Sequence, residues 1–274
     1  MSEHTEWEAR LGRMKKAVEI WQERTSGEDT GPPPIEAGSS LSGDDRLFPA
    51  HPVSSVAWHG LITAVEYLDF TLSAMSATRT LYPSAYFTTL RAGLLGACQA
   101  VWVLAPTSRK ERQLRALAAA MTNYDEQRKA YGAVPLNTSE DHAAFAAVRA
   151  RLDKRLDEAA AAAVSLGKDP AKARKLSVNA TEVIDLAAAV AVPGKLEEGY
   201  AMFLWRTASG HVHGHPYTRL LQLRSDHVVE DPDGRLWARS TGSLVELGTA
   251  ASAVLMITNK AWALFDQRRV DQRP

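Results

Sequence analysis

Three of the chain's eight histidines fall between Trp205 and Pro216, in the run Trp-Arg-Thr-Ala-Ser-Gly-His-Val-His-Gly-His-Pro. Taken as the end of a helix, this segment sets Arg206, Ser209 and His213 along one stripe, because each residue advances about 100° around the axis. His211 points away from that stripe unless the helix unwinds at Gly210. A guanidinium and an imidazole on one face suit a phosphodiester. Arginine holds two phosphate oxygens at once, and histidine moves a proton near neutral pH. Gly210 and Gly214 would let another backbone or a ligand come close. The same residues also have a purely structural reading, in which a terminal arginine complements the helix dipole and histidines bond the last carbonyls.

A different chemistry follows if the segment is extended. Alternate residues then share a face, and His211, His213 and His215 become candidate ligands for zinc or another transition metal, with Asp226 or His227 completing the set. A helical Trp205–His213 removes that alternation, so no metal and no other cofactor is expected.

These residues need elements to hold them. Residues 5–25 carry Trp7, Leu11, Met14, Val18 and Trp21 at helical spacing. Residues 26–50, with Pro32-Pro33-Pro34 at their centre, are polar and read as a flexible linker. That linker would let the N-terminal helix pack on the body or on a second copy. From residue 51 to 274 the pattern predicts a helical domain. Its helices cover 53–79, 84–104, 109–131, 140–166, a short one after Asn179, 195–213 and 243–267. Ser108 with Glu111, and Asn179 with Glu182, have capping-box spacing, and Thr138 is a further cap. Val228-Val229, Asp233-Gly234 and Leu236-Trp237-Ala238 read as one peripheral β-hairpin over about 227–240. The fold class is therefore all-α, a bundle of about seven to eight helices.

The chain has 274 residues, 45% of them hydrophobic, which is enough for a sizeable core. Thirty-two basic residues balance 32 acidic ones, which argues against a surface that is basic throughout. Cys98 is the single cysteine, so neither an intrachain disulfide nor a cysteine zinc site is available. The first ten residues do not resemble a secretory signal. The most apolar stretch, Leu94–Ala105, falls short of the roughly 20 residues of a membrane span, and the expected location is the cytoplasm. Arg91 stands alone in an apolar helix and needs a partner. Arg109, Lys110, Arg112 and Arg115 form a basic face, either solvated or anion-guiding. The seven tryptophans read as core anchors.

With these residues in view, the chain resembles the HEPN superfamily. The Arg206-to-His211 or His213 spacing at a helix end carries the likeness. So does the longer aromatic-Arg-x-x-Ser-Gly-x-x-His string, which is similar to a set of uncharacterised bacterial HEPN-like proteins. Those pair it with an upstream arginine helix, here Arg91 through Trp102-Val103-Leu104, followed by Pro106 and Arg112. The resemblance covers roughly residues 55–265. It implies a helical homodimer that cleaves RNA without metal, with Arg206 steadying the phosphate and His213, or His211, moving a proton beside Ser209. A toxin or antiviral defence role goes with such enzymes. Thr207 stands where active members carry Asn or Asp, and Leu95 where the related set carries an acid. The alternative is a catalytically silent module that binds a protein, RNA or nucleotide partner.

Overall fold

The computed structural model describes residues 3–25, 31–192, 194–222, 228–238 and 242–272. About three quarters of the chain is helical. Among the described residues there are eleven helices: α1 (Glu3–Thr25), α2 (Ser40–Asp45), α3 (Val53–Thr78), α4 (Ala85–Leu104), α5 (Arg109–Gly132), α6 (Ser139–Ser165), α7 (Pro170–Ala173), α8 (Ala180–Ala191), α9 (Lys195–Val212), α10 (Pro216–Leu220) and α11 (Leu244–Arg269). Seven to eight was too few. The additional helices α2, α7 and α10 have six, four and five residues, too short to show a 3.6-residue period. Two three-residue strands, β1 (Val228–Glu230) and β2 (Leu236–Ala238), pair antiparallel with Val229 opposite Trp237. Gly234, at φ 76°, donates to the Asp231 carbonyl in the turn between them. Residues 227, 239 and 240 of the expected hairpin lie outside the described residues.

The chain divides into two units. The first takes residues 1–34, 58–101 and 180–264. Val18, Leu61, Leu68, Leu90, Leu94, Ile184, Leu204, Leu247 and Ile257 are buried in it almost completely, each contributing about 1.5–3 kcal/mol. The N-terminal helix packs onto its own chain. Met14, Val18 and Trp21 are buried, Arg24 lies 3.8 Å from the centre of the Trp262 ring, and Trp7 stands close against Gly248. Helices α3 and α4 cross at Gly60 and Gly96, where a Cβ on either would sit 2.6–2.7 Å from the other's carbonyl oxygen. Only glycine allows that approach.

The second unit takes residues 35–57, 102–179 and 265–274. Leu117 and Met121 of α5 meet Leu152, Leu156, Ala159 and Ala163 of α6 in its core. The small alanines of α6 let the two helices pack closely. Thr138 starts α6 with a complete capping box. Its hydroxyl accepts from the Asp141 amide, and the Asp141 carboxylate accepts from the Thr138 amide. Ser108 likewise caps α5 by accepting from the Glu111 amide.

Residues 26–50 are not wholly linker. Residues 26–30 lie outside the described residues, but Ser39 caps α2, and Leu41 and Asp44 are buried. Asp44 is the reason. Its carboxylate accepts from Arg112 Nε at 2.6 Å and Nη2 at 2.9 Å, and from Arg109 at 3.2 Å. The expected basic face of α5 is therefore largely committed. Arg112 is buried, and Arg115 binds Glu111 and the Trp102 carbonyl.

Helix α4 corrects one more expectation. By length and composition, its 20 residues could cross a membrane. Two thirds of that window is buried within the fold, including Leu94, Cys98 and Val101, and burial pushes the Cys98 thiol far above its ordinary pKa.

Candidate functional site

Helix α9 turns Ala201, Leu204, Trp205 and Ala208 inward, the i, i+3, i+4, i+7 pattern of a one-sided helix. It stays helical through Gly210 and ends in a Schellman motif. His215 donates to the Gly210 carbonyl at 2.9 Å, Gly214 donates to the His211 carbonyl at 3.3 Å, and Gly214 takes φ +67°. Pro216 then opens α10 at its first position rather than merely ending α9. The chain folds back tightly. A Cβ on Gly210 would stand 2.4–2.5 Å from the Thr218 methyl and the Tyr217 hydroxyl oxygen.

This geometry separates the four site residues. Ser209 does not face Arg206. Its hydroxyl accepts a 2.8 Å hydrogen bond from Arg91 Nε, and the Arg91 guanidinium lies 4.1 Å from the centre of the Trp205 ring. Trp205 in turn donates from its indole nitrogen to the Thr181 hydroxyl at 3.3 Å. The lone arginine of α4 thus finds its partners in the α9 motif, a hydroxyl and an aromatic face. Burial lowers the Arg91 pKa.

His211 is buried and stacks on Phe87, with ring centroids 5.2 Å apart and planes 14° from parallel. Its Nε2 is buried and has no hydrogen-bond partner among the described residues. Burial, and secondarily the charge of Arg219, lower its pKa, so it is a neutral imidazole at neutral pH.

Arg206 and His213 are exposed. No carboxylate among the described residues pairs with either. The Arg206 carbonyl accepts from the Tyr217 hydroxyl at 2.9 Å. The rings of His213, His215 and Tyr217 follow one another at 5.8 and 6.1 Å. Sequence reasoning missed Tyr217. Its signal was an aromatic directly after the Pro216 that starts α10.

The three alternate histidines do not converge, because His211 faces Phe87 while His213 and His215 are exposed. Among the described residues no group of three or more His, Cys, Asp or Glu could hold a metal ion. Asp226 and His227 lie outside the described residues.

No protein-family model, curated protein or solved structure matches the chain. Its chemistry must be read from these side chains.

Proposed function

We propose that the chain is an HEPN-like, metal-independent endoribonuclease acting as a homodimer, with Arg206 and His213 as its catalytic pair. The observation that carries this reading is the exposure of both side chains at the end of α9 without an acid partner among the described residues, while Arg91 and Arg112 are engaged by their own chain. Arg206 would hold the non-bridging phosphate oxygens and stabilise the charge that develops there. His213 would take the 2′-hydroxyl proton as that oxygen attacks phosphorus and the bond to the 5′-oxygen breaks. The departing 5′-oxygen needs a proton, which a second copy's histidine would supply. The exposed rings of His215 and Tyr217 offer stacking surface to a base. A cytoplasmic toxin or phage-defence role fits this activity. The test is cleavage of single-stranded RNA in EDTA by the wild type, lost in Arg206→Ala and in His213→Ala.

A silent binding module is favoured by one specific observation, the commitment of Ser209 to Arg91 and of His211 to Phe87. Only two of the four motif side chains then face solvent. On that reading RNA or a protein partner binds without cleavage. Arg206→Lys then weakens binding by losing bidentate contact while keeping charge.

A further inference from the structure

One flank of α9 borders a pocket of about 120 Å³ that the phosphodiester reading does not use. Phe87, Tyr200, Phe203 and Leu221 wall it, and Glu246 from the first turn of α11 lines it. The rings of Tyr200 and Phe203 lie 6.1 Å apart and tilted. Phe203 and Leu221 are each about half exposed, at 51% and 52%, so part of this apolar wall is in water. Glu246 has no cationic partner among the described residues. Its carboxyl titrates above the usual carboxylate range because of partial burial, and its proximity contributes to a Tyr200 phenol pushed up to about 12, chiefly by burial.

Aromatic faces carry partial negative charge and attract cations. A carboxylate beside them, with no cation against it among the described residues, repels anions and is poorly served by a neutral apolar guest, which would strip its water without replacing the lost interactions. The size of the pocket suits a compact head group.

We propose that this pocket binds a small organic ammonium ion, with Phe87, Tyr200 and Phe203 around its alkylated head and Glu246 against its charge. The site is independent of the RNA reading and stands or falls without it. Phe87 links it to the buried histidine, since the same ring forms a pocket wall and stacks on His211. Occupancy should therefore be visible in the His211 ring resonances.

The test uses choline and its neutral carbon analogue, 3,3-dimethylbutan-1-ol, titrated at millimolar concentration into the full chain and followed by NMR. Choline should bind and shift the His211 resonances, and the alcohol should bind about tenfold more weakly. Glu246→Gln should weaken choline about tenfold and leave the alcohol unchanged. Phe203→Leu, which keeps the site apolar, should weaken choline about threefold or more. Equal binding of choline and the alcohol would overturn the proposal, as would no choline binding to folded wild type or binding that Glu246→Gln leaves intact.

Discussion

Arg91 and Ser209 lie 118 residues apart in the chain and are joined by a 2.8 Å hydrogen bond. The bond ties the arginine of α4 to the motif of α9 and holds the guanidinium over Trp205. A hydrogen bond to a charged group in a partly exposed place is worth about 1 kcal/mol. Ser209→Ala should cost that much in urea denaturation. Arg91→Ala should cost about 2 kcal/mol, since it also uncovers the indole. The double mutant should show a coupling of about 1 kcal/mol. Strict additivity would mean that the two side chains do not support one another.

Asp44 and Arg112 are a buried pair, with side chains 0% and 3% exposed. Removing one partner leaves the other charge uncompensated, which costs about 3–5 kcal/mol. Asp44→Ala should lower the denaturation midpoint far more than Asp125→Ala, which breaks only half-exposed pairs on α5. Equal effects would show that the 36–48 segment does not depend on this carboxylate.

His211 gives the fold an acid-sensitive limb. Its pKa in the folded chain lies below the ordinary 6.5, from burial first and Arg219 second. Well above 6.5 both folded and unfolded chains carry a neutral ring. As pH falls through that value the unfolded chain takes up the proton first, so stability declines until the folded ring also protonates. His211→Phe should flatten this limb, read as the midpoint of urea unfolding between neutral and mildly acidic pH. An unchanged slope would place the acid sensitivity elsewhere.

On the proposed ribonuclease reading, cleavage should separate the two exposed residues from the buried one. Arg206→Ala should reduce the rate about 10² to 10³-fold, and His213→Ala about 10² to 10⁴-fold, with the circular-dichroism spectrum unchanged. His211→Phe should retain most activity. If His211→Phe abolishes cleavage while the fold persists, the roles of the two histidines are reversed.

The long helices were legible because periodicity and caps agree over many turns. Thr138 alone placed the start of α6 to within a residue. The one-turn helices were not legible by periodicity, although Asp169-Pro170 and His215-Pro216 carried proline at the first helical position. Pro216 both closes the α9 run and starts α10. At the site, the stripe argument hinged on whether Gly210 unwinds the helix, and the backbone is helical there. The direction of Ser209 was hidden because its partner sits on another helix. That Arg91 needed a partner was clear from its apolar neighbours, but nothing local indicated a hydroxyl and an indole instead of an acid. The Arg112 face was misread for a similar reason, since its acid lies in a segment whose composition suggested a linker.

The last helix also constrains the order in which the chain can assemble. Arg268 donates to the carbonyls of Leu104, Ala105 and Pro106, and the Arg269 carbonyl accepts from the Glu36 amide at 2.9 Å. Earlier in the same helix, Gly248 receives Trp7 and Trp262 receives Arg24. Each unit therefore takes part of its packing from α11. During synthesis, Trp7 and Arg24 lack these particular partners until residues 248–262 leave the ribosome. Those parts of α1 then stay uncovered by α11 for nearly the whole of translation, the period when chaperone capture or aggregation competes with folding. Contacts of such long sequence separation also slow refolding. A ribosome stalled short of α11 would hold a chain whose first and last thirds cannot yet meet.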